Sequence, residues 1–148
     1  MYDFMIKNNL LFLEDDGGAL SVMNLLEEFY GYNIYHTAYD WKSVEYWLFD
    51  NPGIDSFVAI LFDMRLPIYN LPNYGVPYNE SVHYSPSLYF IENFIMRYFP
   101  SEIEKILLVS AYFDNMPFEK IKRFNIFEKS DGEVINKLIS KINELSNN

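Results

Sequence analysis

Short, unbroken apolar runs alternate along this chain with longer stretches in which apolar residues recur every three or four positions. Leu10-Leu11-Phe12-Leu13, Phe57 to Phe62 and Ile106 to Val109 show no polar alternation, the pattern of strands buried on both faces. Asn33 to Tyr39 is rich in strand formers, and Ile126 to Glu128 reads as a brief fifth strand. Between them, Val22, Leu25, Leu26 and Phe29 mark one face of a helix over Ala19 to Tyr30, stopped by Gly31. Asp40 can cap a second helix carrying Trp41, Val44, Trp47 and Leu48, which ends before Asn51-Pro52-Gly53. Ser85-Pro86 supplies an N-cap and a first-position proline for a third helix, from about Ser87 to Tyr98, closed by Pro100. Its buried face is predicted at Leu88, Ile91, Phe94 and Ile95. Pro117 to Arg123 allows only a short helix. Ser130 to Glu133 has capping-box spacing before a final stripe of Val134, Ile135, Leu138, Ile139, Ile142 and Leu145.

The predicted order is therefore strand-helix repeated five times. With right-handed crossovers this gives an α/β fold, a five-stranded parallel sheet with helices on both faces. One connection, the 17 residues from Ile68 to Tyr84, is longer than such units need and is rich in Tyr, Asn and Pro. We expect one domain over residues 1–148, with an inserted loop at about 68–84.

Four of the apolar runs end in polar residues of specific kinds. The first runs into Glu14-Asp15-Asp16, the third into Asp63, the fourth into Ser110-Ala111 and the last into Lys129. In open parallel sheets the C-terminal strand ends share one edge, where ligands bind. Carboxylates about 4 Å apart repel by roughly 4 kcal/mol at an effective dielectric near 20. A cluster of them therefore needs a cation, water or hydrogen bonds, and Mg²⁺, with its hard oxygen ligands, is the natural guest. Alone, the acidic triplet is equally a solvated turn, Ser110 a strand-end hydroxyl and Lys129 a surface charge. Four such coincidences at one edge favour a site for a divalent metal and a phosphoryl group.

Net charge, −10, argues against a nucleic-acid partner, which requires Lys and Arg on the phosphates. There is no cysteine, so thiol chemistry and thiolate metal sites are excluded. His36 and His83 follow no metal-binding spacing, and Gly17-Gly18 lacks the flanks of a phosphate loop. No apolar run approaches the length of a membrane span, and the N-terminus lacks the pattern of a signal peptide. A soluble, cytoplasmic protein is the expectation. Aromatic residues, 13 Tyr and 13 Phe, are assigned mainly to core and rim packing, with some facing a partner.

LFLEDD at 11–16 with its preceding Leu10, FDMRLP at 62–67, VSA at 109–111 and FEK at 127–129 together resemble a response-regulator receiver domain, of the chemotaxis-regulator type. The resemblance covers essentially the whole chain. It implies a flavodoxin-like fold with strand order 2-1-3-4-5. It also implies that Asp63 is the phosphoacceptor, taking a phosphoryl group from a histidine kinase or phosphotransfer protein. Asp15 would then bind Mg²⁺ directly, Glu14 would act through water, and the backbone carbonyl of Arg65 would complete the set. Ser110 and Lys129 would hold phosphoryl oxygens, with small Ala111 leaving room. Such a protein would signal to a downstream protein target and turn over nothing beyond its own phosphorylation and dephosphorylation. No residues remain after the last helix for an output domain, so a stand-alone receiver is expected.

The chain departs from the family in four ways. Ser130 stands where a cis-proline usually follows the lysine, Ile126 stands where the switch aromatic belongs, the fourth helix is short, and the 68–84 loop is inserted. The first two and the loop support an alternative, a pseudo-receiver that binds a protein independently of phosphorylation. A haloacid-dehalogenase-type phosphatase is disfavoured, because its Asp-x-Asp pair would need an acid at position 65, where Arg stands. Tyr69, Tyr74, Tyr78 and Tyr84 of the loop could lid the cleft, dock a partner, or merely cover surface.

Overall fold

The computed structural model describes residues 8–15, 19–79, 85–111 and 118–147. Its sheet has five parallel strands in the order β2-β1-β3-β4-β5, as the resemblance implies. They are β1 (Asn9–Leu13), β2 (Asn33–Thr37), β3 (Phe57–Asp63), β4 (Ile106–Ser110) and β5 (Asn125–Glu128). Every residue of β1, β3 and β4 is buried, which explains why these three read as unbroken apolar runs. The edge strands β2 and β5 are only partly covered.

Alternate side chains of the central strands feed two cores. Leu11, Leu13, Ile60, Phe62, Ile106 and Leu108 pack beneath helix α2 (Trp41–Phe49) and the helix that starts at Pro86. Leu10, Phe12, Val58, Leu61, Leu107 and Val109 pack beneath α1 (Ala19–Tyr30) and the C-terminal helix Val134–Ser146. Asp40 caps α2 by accepting from the Ser43 amide at 3.1 Å, and Ser85 caps the Pro86 helix through the Leu88 amide at 3.3 Å. Both caps were readable from the sequence.

Several details differ from expectation. The Pro86–Phe90 turns pass into a π-helical stretch, Ile91–Ile95, before a last α turn, Met96–Tyr98. Wider π winding broadens the buried face, so Tyr89 and Phe90 are as buried as the predicted Leu88 and Ile91. Pro100 does not end helical structure but starts a 3₁₀ segment, Pro100–Lys105. In α1 the buried stripe is Val22, Met23 and Leu26, and it stops a turn before Phe29, which is 76% exposed. Ile135 is likewise exposed, because only Leu138 and Ile142 of its helix are fully buried. The expected Ser130 capping box does not form. The helix begins four residues later, and Asp131 instead accepts from the Glu133 amide at 2.9 Å. The short helix expected near Pro117 is Phe118–Ile121.

Strand register sets the site. Leu13 of β1 lies level with Thr37 of β2 and Phe62 of β3, Asp63 with Val109, and Ser110 with Glu128. The residues that follow each strand thus emerge along one edge. The long loop leaves from this edge but is tied along the α2 side. Tyr74 donates its hydroxyl to Glu45 at 2.9 Å and packs against Tyr89, Phe90 and Phe94. Burial, then the bond to Glu45, pushes the Tyr74 phenol pKa upward, so it remains a donor. Tyr78 stacks edge-on against Tyr89, whose hydroxyl donates to the Val76 carbonyl, and Tyr69 meets Tyr39. Tyr84 lies outside the described residues.

Candidate phosphoryl and metal site

Asp63, the last residue of β3, is 3% exposed, as is Glu14, the residue after β1. Asp15, the next residue, is exposed. Carboxylate oxygens of Glu14, Asp15 and Asp63 all lie within 4.8 Å of one another. Lys129, just past β5, reaches into this group. Its Nζ lies 3.0 Å from Glu14 Oε1 and 3.0 Å from Asp63 Oδ2. The backbone holds it there, since the Lys129 amide donates to the Ser110 carbonyl at 2.9 Å. The residue that follows, Ser130, is not needed as a proline for this reach. Ser110 is fully buried at the end of β4. Arg65 meets the site through its backbone, its amide donating to Asp63 Oδ1 at 2.9 Å. Asp16, His83 and residues 112–117 lie outside the described residues.

Were both buried acids ionised, the one ammonium between them would leave a net negative charge. Burial first, then a hydrogen bond and repulsion from Asp63, pushes the Glu14 pKa up to about 8, against the pull of Lys129. For Lys129, burial opposes the charge, but the bonds to Asp63 and Glu14 outweigh it and raise its pKa, so the ammonium stays charged. Among the described residues the cleft therefore holds more acids than cations, and Glu14 keeps its proton up to about pH 8. Three carboxylates with oxygens this close suit one hard divalent cation bound at about 2.1 Å, with water completing the shell. The donor set fits Mg²⁺.

Two contacts to the site were not legible in the sequence. Ser87 Oγ, fully buried, donates to the Asp63 backbone carbonyl at 2.6 Å and so ties the Pro86 helix to the acceptor strand. Its only signal was its place just past an N-cap. His36, exposed on β2, lies with Nε2 2.8 Å from the Glu14 carbonyl, a bond that requires the proton on Nε2. His36 thus helps fix the Glu14 backbone. At the switch position Ile126 joins the α2-side core, while Phe127 joins the opposite one, as strand alternation demands.

No family model and no curated protein matches this chain. Solved structures do. The receiver domain of a sensor histidine kinase from Pseudomonas aeruginosa, with a magnesium ion coordinated in its active-site cleft, superposes with a TM-score of 0.57 at 17% identity. The match covers 95% of this chain and 98% of that one. A CheY-like receiver domain from Methylobacillus flagellatus gives 0.55 at 17% identity, over 91% and 98% of the two chains. Another, from Methanospirillum hungatei, gives 0.57 at 16%, over 95% and 97%. Strand order, the two helix layers and these superpositions agree: this chain has the fold of the response-regulator receiver domain.

Proposed function

We propose that this chain is a receiver in which Asp63 accepts a phosphoryl group from a histidine kinase or phosphotransfer protein. The observation that supports it best is the meeting of Glu14, Asp15, Asp63 and Lys129 at one sheet edge. Mg²⁺ held by Asp15, Glu14, Asp63 and the Arg65 carbonyl would offset the negative charge that gathers on the transferring group. The chain's own residues do the rest. Asp63 is the nucleophile, and its carboxylate oxygen forms the new O–P bond while the P–N bond of the donor phosphohistidine breaks and its electron pair stays on the imidazole. The Arg65 amide fixes the orientation of that carboxylate. Lys129 and Ser110 take the phosphoryl oxygens, and Lys129 exchanges part of its bond to Asp63 for one to the phosphoryl group. Signalling then proceeds by contact with a downstream protein in the cytoplasm, without turnover of any other substrate.

The test is intact-mass spectrometry after incubation with Mg²⁺ and acetyl phosphate. One phosphoryl adduct is expected on the wild type, none on Asp63→Asn and none with excess chelator. Equal labelling of Asp63→Asn, or no labelling of either chain, would reject the proposal. No labelling would favour a phosphorylation-independent binding module.

A further inference from the structure

The exposed face of α2 carries a charge pattern that the site at the sheet edge does not use. Lys42, Tyr46, Phe49 and Asp50 follow one another at spacings of four, three and one, which places them on a single stripe of this helix. Tyr46 is 52% exposed and Phe49 58%, and the neighbouring Tyr98, 47% exposed, stacks edge-on against Phe49. Together they line a groove of about 460 Å³. A contiguous exposed aromatic patch with a charged rim is the usual signature of an interface.

The charges select the partner. Lys42 lies in the first turn and Asp50 is the C-cap, so each opposes the helix dipole, whose N-terminus is positive and C-terminus negative. Among the described residues neither has an ion-pair partner. Both are exposed, and each would gain from an opposite charge supplied by a partner, a cation near Asp50 and an anion near Lys42. The two positions are symmetric about Tyr46, four residues to either side and about 6 Å along the axis. A second α2 laid antiparallel across a two-fold axis at Tyr46 brings Asp50 of the second copy to Lys42, and Lys42 of the second copy to Asp50. The same arrangement sets the helix dipoles head to tail and stacks the aromatic centres. An isologous contact demands this kind of self-complementarity. The remaining acid on the stripe's flank, Glu45, is already bonded to Tyr74. On a chain of net charge −10, which repels its copies in general, this patch carries both signs, Lys42 beside Asp50 and Glu45.

We infer that α2 mediates an antiparallel homodimer, with Tyr46, Phe49 and Tyr98 at its centre and two Lys42–Asp50 pairs at its ends.

Sedimentation equilibrium of the full chain up to about 100 μM, at low and high salt, tests this. A reversible dimer that weakens with salt is expected. Lys42→Asp or Asp50→Lys alone sets like charges together and should weaken it by about tenfold or more. The double variant restores both pairs in reverse and should recover dimerisation. Both substitutions suit the helix dipole, so circular dichroism and melting should show each variant folded. A wild type that stays monomeric throughout would overturn the inference and leave this face to a different protein. Single variants that dimerise like the wild type, or a double variant no better than the singles, would overturn it as well. None of these outcomes depends on Asp63 labelling.

Discussion

Two lysines bonded to carboxylates sit at opposite ends of this sheet, and their surroundings differ in one respect. Lys105, just before β4, is 5% exposed and is answered by one carboxylate, Glu102 at 2.8 Å, and one carbonyl, that of Ile54, at 3.0 Å. Its charge is balanced, and nothing further is required. Lys129, just after β5, faces Glu14 and Asp63 together, with Asp15 in reach of both. There the acids outnumber the cation. A buried pair that closes on itself is a structural tie, whereas a buried cluster left with surplus charge is arranged for a guest.

This contrast can be broken from either end. The largest effect is expected at the closed pair. Lys105→Met should lower stability by about 2 kcal/mol, since it takes one of two donors from the Ile54 carbonyl, which keeps the Phe57 amide, and leaves Glu102 half-sheltered without its cation. Urea unfolding measures this, and a change below about 0.5 kcal/mol would deny Lys105 its role as a tie. Next comes pH. The Glu14 pKa is raised to about 8 from 4.5, so the folded state holds this proton longer than the unfolded chain does. Its contribution to metal-free stability is complete below pH 4.5 and is lost as pH rises through 8. Mg²⁺ affinity should move the other way, gaining up to about tenfold per pH unit until it levels near 8, with proton release on binding. Calorimetry in two buffers of different ionisation heat reads that release, and an affinity flat across this range would contradict the assignment.

A smaller effect distinguishes the open cluster most clearly from the closed pair. Asp63→Asn removes a repelling charge while keeping an oxygen for the Arg65 amide. It should therefore raise metal-free stability above about pH 8, where Glu14 is ionised beside it, by about 1 kcal/mol. Loss of stability instead would mean that the cluster is as closed as Lys105 and Glu102. The smallest change concerns the loop. Tyr74→Phe keeps the ring packing but loses the bond to Glu45, and should cost about 0.5–1 kcal/mol. Faster proteolytic cleavage within 68–79 would report the same loosening.

The same contrast explains what could be read in the sequence. Strand ends at Glu14, Asp63, Ser110 and Lys129 were legible because unbroken apolar runs locate buried parallel strands, and topology brings their ends to one edge. The closed pair was not. A lysine before an apolar run, with a glutamate three residues earlier, reads as surface, and Pro100 masked the 3₁₀ segment that turns Lys105 inward. Periodicity predicted α2 well, since Trp41, Val44 and Leu48 are all buried. It overreached at Phe29 and Ile135, where the apolar stripe runs beyond what the sheet covers. Ser87 and His36 reach the site through backbone carbonyls, a kind of contact that leaves no spacing signal.

Calorimetric titration of the wild type and Asp63→Asn with Mg²⁺ at pH 8 tests most directly whether the surplus acid exists to hold a cation. One bound ion per chain is predicted for the wild type, with affinity lower by about tenfold or more in the variant. No binding to the wild type, or equal binding to both, would contradict the account.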